Sequence, residues 1–546
     1  MKIQCKEKEY NIQEETKIED FINKNNFEGK NDIIAAFFNN EYVDLESKLK
    51  EDGILEFIDI SSKEGNEIYR RTIIYILAMA FERKFPEEKL SINYQLTDAM
   101  YCEVRNVNIT EKMVKEIAIE MKSIIENNYK IYKEYLTKDE ALKIYKNTDK
   151  KWGILQFRKK INTEICMNHC EDYYNYCYGV IANRTGIASI FELVKYGEGF
   201  LVRYPNSKNP YKLPEFMDTK KIAWALEEYD NIHEILNMNK VYRLNEAIEE
   251  NKIKEVIMID EALHEKKIAN IADNIDRNRE VRMVLIAGPS SSGKTTFAQR
   301  LGLQLRINGL KAITISVDNY FVERENTPKD ENGKINFEAL EAIDIELFNN
   351  HLTKLLNAEE VEIPEFNFHT GHKEYNGKML KLKQDEILVI EGIHCLNDKL
   401  TKTISKNQKY KIYISALTIL NMDRYNRIST SDTRLIRRIV RDNQFRGYDA
   451  LDTIRNWGMV RKGEEENIFP FQEEADSIFN TSLVYELAVL KDIAIPLLEK
   501  ITRKEREYAE AQRLIEILKY FESIPKEYVP THSLLKEFIG GGDFEQ

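Results

Sequence analysis

Apolar residues change rhythm three times along the chain. From residue 1 to about 61 they alternate with polar ones at a spacing of two, which predicts half-buried strands. These are Met1–Lys6 and Lys8–Ile12 around a turn, Ile33–Phe38, and Gly53–Asp59, with a short helix at Lys17–Ile22 and a turn at Asn39-Asn40. From 62 to about 200 the spacing becomes helical, predicting long amphipathic helices over Glu64–Phe85 and Lys112–Tyr135. Pro205, Pro210 and Pro214 mark loops in a connecting segment, 201–275, whose Asp260–Asn274 stretch reads as a helix packing through Ile268, Ile271 and Ala272. From about 276 to 500, short apolar runs alternate with helical stretches: Arg282–Ala287, Ala312–Val317, Glu386–Ile390, Lys411–Ser415 and Asp476–Phe479. That order predicts a parallel sheet covered on both faces, with ligands gathered at the carboxyl ends of its strands. A helical tail, 501–546, is expected to pack through Arg503–Phe521, while His532 and Gly540-Gly-Gly carry no signal.

Composition narrows the class. The chain has 546 residues, 42% hydrophobic and 32% charged, which fits a globular protein of several domains. The formal net charge of −12 leaves no global basic footprint for nucleic acid, so any RNA or phosphate contact must be local. The longest apolar stretch, Ile73–Phe81, is too short to span a bilayer, and Met1–Lys6 shows no apolar signal region, so a cytoplasmic protein without membrane contact is expected. The six cysteines are then expected as reduced thiols. Cys166, His169, Cys170 and Cys177 lie close together, but their spacing does not match the paired hairpins of common zinc modules, and half-buried thiols are the expectation.

One stretch carries chemistry directly. Gly288-Pro-Ser-Ser-Ser-Gly-Lys-Thr295 fits the phosphate loop G-x-x-x-x-G-K-[S/T], and it stands between an apolar strand and a helix with Phe297, Leu301 and Leu305 on one face. Main-chain N–H groups of Gly288, Pro289–Ser292 (the proline lacking one), Gly293, Lys294, Thr295 and Thr296 are placed to wrap the phosphates of ATP, where the helix dipole favours anions. Lys294 is expected to reach the outer phosphates, and the Thr295 hydroxyl to bind Mg²⁺.

The second strand ends in Ser316-Val-Asp-Asn-Tyr-Phe321 and the third in Glu391-Gly-Ile-His394. With the phosphate loop, this ordered set resembles the uridine kinase and phosphoribulokinase family. The resemblance implies an α/β phosphate-loop fold over 276–500, built on a three-layer parallel sheet. It implies Asp318 as general base, a role in which a carboxylate takes the proton of the attacking hydroxyl. It implies Glu391 as the acid that holds Mg²⁺ together with Thr295. Asp432-Thr-Arg-Leu-Ile-Arg-Arg-Ile-Val-Arg-Asp442 resembles the family's lid, so that Arg434, Arg438 and Arg441, with Lys294, would neutralise the transferring phosphoryl group, and Arg446-Gly447 would form the hinge. The family's Tyr-Asp-Phe segment with its nearby His corresponds to Pro364–His372, where Phe366 and Asn367 stand in for the Tyr and the Asp, and His369 and His372 bracket the expected place of the His. Glu338 matches the acid that grips ribose hydroxyls, and Tyr320 and Arg446 complete the expected substrate set. Asn480–Leu490 is expected near the adenine.

The front half resembles threonyl-tRNA synthetase. Phe38–Leu45 is similar to its β-grasp (TGS) domain, 1–61 here, and Arg71–Ala80 to the first helix of its second additional domain, an α+β unit at 62–200. The family's editing ligands become Arg71, Tyr75 and, in the later motif, Cys177 followed by Ile181; only Cys177 survives, so editing is not expected and a shape reused for packing or binding is. The expected activity is transfer of the ATP γ-phosphoryl group to the 5′-hydroxyl of a nucleoside of uridine or cytidine type. Two alternatives stay open: a kinase for a non-nucleoside small alcohol, and a nucleotide-switched, RNA-binding or translation-linked protein with weak RNA contact through the front domains.

Overall fold

The computed structural model describes residues 1–147, 164–329, 333, 335–367 and 370–544. The N-terminal strands form one five-stranded sheet in the order Lys8–Asn11, Lys2–Cys5, Gly53–Asp59, Ile33–Phe38, Glu41–Val43. Lys2–Cys5 runs parallel to Gly53–Asp59 and every other pair is antiparallel. Helix Ile18–Asn25 buries Ile18, Phe21 and Ile22 against this sheet's core, with Ile3, Leu49 and Leu55. The next unit joins a four-stranded antiparallel sheet, ordered Glu192–Tyr196, Gly199–Arg203, Ala99–Val104, Leu90–Leu96, to a three-stranded one of Tyr173–Asn175, Glu164–Cys170 and Tyr132–Thr137. Helix Lys63–Lys84 starts at Ser62, whose hydroxyl accepts the Gly65 N–H, and it buries Ile73 through Phe81 without a break.

The helix expected over Lys112–Tyr135 is shorter. It runs from Glu111 to Glu126, capped by the Thr110 hydroxyl, and stops at Asn127-Asn128, with Asn128 in a left-handed conformation (φ 48°). The alternating residues that follow form strand Tyr132–Thr137 instead. Likewise Arg503–Phe521 is helical only over Tyr508–Leu518, because Thr502 and Glu505 close a turn ahead of it and Arg503 and Arg506 pair with Glu41 and Glu56 of the first sheet.

The C-terminal sheet is five-stranded and wholly parallel, ordered Lys311–Ser316, Glu386–Glu391, Met283–Ala287, Lys409–Ser415, Ser477–Asn480. Its residues alternate between two cores. Val284, Ile286, Ile387, Val389, Ile412 and Ile414 face one layer of helices, which includes Ile253–Arg277 and Lys294–Ile307. Met283, Leu285, Leu388, Ile390 and Tyr413 face another, which includes Lys220–Ile235 and Ile345–Leu356. Strands buried on both faces read as continuous apolar runs, which is why the three inner strands, Met283–Ala287, Glu386–Glu391 and Lys409–Ser415, stand out in the sequence, whereas the edge strand Lys311–Ser316 is only partly buried. The segment expected as a connection behaves differently: Gly199–Arg203 completes a front sheet, and the helices Lys220–Ile235, Val241–Glu249 and Ile253–Arg277 are integral layers of the parallel sheet.

The front units meet the C-terminal one at several places, among them the Asn421–Asn426 loop. Ile92 N–H donates to the Arg424 carbonyl at 2.8 Å, Asn421 Nδ2 to the Asn93 carbonyl at 3.0 Å, and Asn426 Nδ2 to the Tyr176 carbonyl at 3.1 Å. The Asn421–Asn426 loop leads directly into helix Thr430–Arg441.

No helix among the described residues is long and apolar enough to cross a membrane. At the positions that correspond to the synthetase's editing ligands, Arg71 Nε donates to the Val180 carbonyl at 2.8 Å, and the Tyr75 hydroxyl bonds the Asn168 and Tyr173 carbonyls at 3.2 Å. Burial pushes the Cys177 thiol up to about 12. Cys170 is buried in the core, while His169 stacks on Tyr174 at 4.3 Å and meets the Glu171 carbonyl. Among the described residues no three His, Cys, Asp or Glu side chains are grouped to hold a metal.

Candidate active site

The phosphate loop leaves the central strand of the parallel sheet and enters helix Lys294–Ile307. Two of its glycines are required by geometry. A Cβ on Gly288 would lie 2.2 Å from the Ile414 carbonyl oxygen of the neighbouring strand, and Gly293 caps the helix at φ 86°. Ser291 takes a left-handed conformation (φ 58°), and the Ser292 amide closes a tight turn onto the Pro289 carbonyl at 3.2 Å. Lys294 Nζ donates to the loop's own Gly288 and Pro289 carbonyls at 3.0 and 3.3 Å.

Strand register carries the acids to this loop. Glu391 is level with Ile286 on one side and Ser316 on the other, two residues short of Gly288 and of Asp318 respectively. Asp318 follows Ser316 in a tight turn, its N–H donating to the Ser316 hydroxyl at 3.3 Å. Its side chain is reached by solvent yet ringed by protein, and desolvation raises its pKa, helped by Glu338 and opposed by Lys294 and Arg446. Burial first, and the charge of Asp318 second, push Glu391 up to about 7, against the pull of Lys294. Glu338 is raised by burial and by Glu464, and lowered by Arg438 and Lys294. Three carboxylates thus crowd one ammonium group. Crowded acids of perturbed pKa in a cleft are a signature of chemistry.

The arginine-rich helix, Thr430–Arg441, departs from expectation. Arg434 does not face the loop's mouth: it is fully buried, bonds Glu464 through two nitrogens at 2.7 and 2.6 Å, and lies 5.3 Å from the Trp457 ring. Glu464 in turn accepts the Ser290 N–H at 2.9 Å, so the pair braces the phosphate loop from behind. Arg437, four residues before Arg441, is buried beside Glu486 and donates to the Ser291 carbonyl at 3.3 Å and the Thr481 carbonyl at 2.7 Å. Arg438 alone of the expected three touches the loop, donating to the Ser290 hydroxyl at 2.8 Å; it and Arg441 also share Asp442. The helix then ends in a wide turn, Asp442–Arg446, stopped by Gly447 at φ 71°. The long side chain of Arg446 is exposed and is the second cation acting on Asp318.

The expected substrate set divides. Tyr320 is turned away from the cleft into the core, 1% exposed, with its hydroxyl on His351 Nδ1 at 3.2 Å. Phe366 is likewise buried, 5.5 Å from the Phe321 ring. Both are aromatic and stand on apolar-in positions, so packing claims them. His372 is exposed and bonds Glu323 at 2.6 Å. His369 lies outside the described residues. Glu338 is brought to the loop. Glu464 and Glu486 were missed because each reads as a solvated helical acid; only the pairing with a buried arginine gives them away.

The hydroxyl and carboxylates fit a magnesium site. Thr295 is exposed at the helix start, and the charge of Asp318 helps burial to raise the Glu391 pKa, so that two acids stand near one hydroxyl. Mg²⁺ takes few protein ligands and keeps several waters, so this donor set suffices.

Residues 283–487 match the model of the Phosphoribulokinase / Uridine kinase family. The N-terminal region matches threonine–tRNA ligases. That of Aquifex aeolicus is 28% identical over 199 residues, 35% of this chain and 31% of that protein, and that of Streptococcus sanguinis is 27% identical over 163 residues, 30% and 25%. The chain therefore spans only 25 to 31% of the length of these curated relatives. Among solved structures, a "Possible Uridine Kinase" from Bacillus stearothermophilus is 18% identical, covering 39% of this chain and 100% of that one with a TM-score of 0.26.

Proposed function

We propose, from a C-terminal region of the phosphoribulokinase and uridine kinase family, that this protein is a kinase moving the γ-phosphoryl group of ATP to the 5′-hydroxyl of a uridine- or cytidine-like nucleoside. The observation that carries the reading is the convergence of Asp318, Glu338 and Glu391 on Lys294 at the mouth of the phosphate loop.

The loop's main-chain N–H groups hold the phosphate chain, and Lys294 leaves its own carbonyls for the outer phosphates. Glu338 orients the acceptor's hydroxyls. Asp318 takes the proton of the attacking hydroxyl as its oxygen bonds the γ-phosphorus and the bond from phosphorus to the β–γ bridging oxygen breaks, releasing ADP. Arg438, Arg441 and Arg446 supply the cationic flap, and Arg434 and Arg437 hold the loop's shape from behind. Thr295 and Glu391 would hold Mg²⁺, which when bound supplies charge neutralisation between the phosphates. Positioning and electrostatics then account for the rate.

The burial of Tyr320 and Phe366 favours one alternative acceptor, a non-nucleoside small alcohol, since the expected base contacts are spent in the core. A screen of ribonucleosides and other alcohols for ATP-dependent phosphate transfer separates the two. Uridine or cytidine should give the highest kcat/KM; a non-nucleoside ranking above them moves the assignment to the alternative. In the same assay Asp318→Asn should bind ATP about as well as the unaltered chain and lose about 10²–10⁴-fold in kcat. Unchanged turnover would remove Asp318 as the base.

A further inference from the structure

The last residues of the chain cover the phosphate loop. Glu537, on the short turn Lys536–Ile539, accepts the Thr296 N–H through Oε2 at 3.1 Å. Leu534 packs directly on the loop's second glycine: a Cβ there would lie 2.4 Å from its Cδ2. Phe538 lies under the Arg437 guanidinium at 5.0 Å, and the Ile539 carbonyl accepts from Gln444 in the turn after the arginine-rich helix at 3.2 Å. Leu534, Leu535, Phe538 and Ile539 are buried in the core, whereas Glu537 is only half-buried. The apolar side of the segment packs into the core, and Glu537 is presented to the loop.

The position of that acid matters. Thr296 N–H belongs to the first turn of helix Lys294–Ile307, where main-chain donors have no partner within the helix and serve to hold a nucleotide's phosphates. A carboxylate on such a donor is an anion standing in a phosphate's place. It adds a negative charge where Asp318 and Glu391 already crowd, and Glu537 is one of the groups acting on Glu391. Two anions cannot share one N–H in so acidic a cleft. We propose that Glu537 is an internal competitor of the nucleotide's phosphates, so that ATP binds only as the 531–544 segment lifts its carboxylate from Thr296. The tail then gates the site and reports its occupancy to the surface. This rests on the reading of the phosphate loop as an ATP site.

The test uses the full-length chain and two ligands, ATP and adenosine, the second lacking phosphates. Glu537→Gln keeps the side chain's size and an acceptor oxygen but removes the charge, at a half-buried position that accommodates the isosteric amide. In calorimetric titration the variant should bind ATP about tenfold more tightly than the unaltered chain, with adenosine affinity unchanged, as expected when a competing closed state is removed. Independently, ATP but not adenosine should speed amide hydrogen exchange across 531–544 in the unaltered protein. Equal or weaker ATP binding by the variant overturns the proposal, as does exchange that stays flat or slows, which would make the tail a fixed wall of the site. If the unaltered chain binds no ATP at all, the kinase reading itself fails, an outcome distinct from both.

Discussion

Lys294 sets the charge balance of the cleft, because Asp318, Glu338 and Glu391 all feel its ammonium group. The loop lysine and Asp318 could be read from the chain because motif and strand end fix their surroundings locally. The raised pKa values could not, since burial and the proximity of three acids arise only when separate strands and the turn that carries Glu338 come together. Glu391 shows the consequence. Its pKa in the folded state, about 7, lies above its ordinary 4.5, so its contribution to stability is full below about pH 4.5 and is lost as pH rises through 7. Glu391→Gln removes that titration. Without Mg²⁺, the variant should melt higher than the unaltered chain at pH 8, by about 2–4 °C for each kcal/mol that ionisation withholds, and equally at pH 4. Melting curves at the two pH values check this, and a gap that is the same at both would place Glu391 outside the crowded set.

At the scale of one element, helix Thr430–Arg441 performs two jobs that its sequence does not separate. Four arginines within eight residues read as a cationic surface. In the fold, Arg434 and Arg437 turn inward to Glu464 and Glu486, while Arg438 and Arg441 stay at the rim with Asp442. Removing one member of a buried ion pair strands the other charge and costs about 3–5 kcal/mol. Arg434→Met should therefore destabilise the C-terminal part by about that amount in urea unfolding, and Arg434→Met with Glu464→Leu should recover most of it. Arg438→Ala should leave the unfolding midpoint nearly unchanged and instead lower kcat by about 10²-fold, as loss of one donor to developing phosphoryl charge does. Equal midpoints for Arg434→Met and Arg438→Ala would contradict the division. The acids on distant helices decide which arginines are structural, and nothing in the local spacing announces them.

Across the whole molecule, the helices between 220 and 277 belong to the parallel sheet rather than linking two halves. Ile268, Ile271 and Ile275 share a core with Phe297 and Leu301, and Ile222 and Leu226 share the other with Met283 and Leu285. Deleting residues 1–275 should strip both faces and leave an aggregating fragment, whereas a cut just ahead of Lys220 keeps those layers; soluble yield and a cooperative melt distinguish the two. A well-folded fragment starting at 276 would show that the helices are dispensable. The inner strands of the parallel sheet were legible because burial on both faces forces apolar runs, and the phosphate loop because its backbone turn admits so few residues. The order of the strands, the inward turn of Arg434, the burial of Tyr320 and the seat of Glu537 on Thr296 were not. Local sequence determines which backbone conformations and which alternations of apolar residues are available. Which charge meets which partner across 30 or more residues depends on packing, and only the tertiary structure decides it.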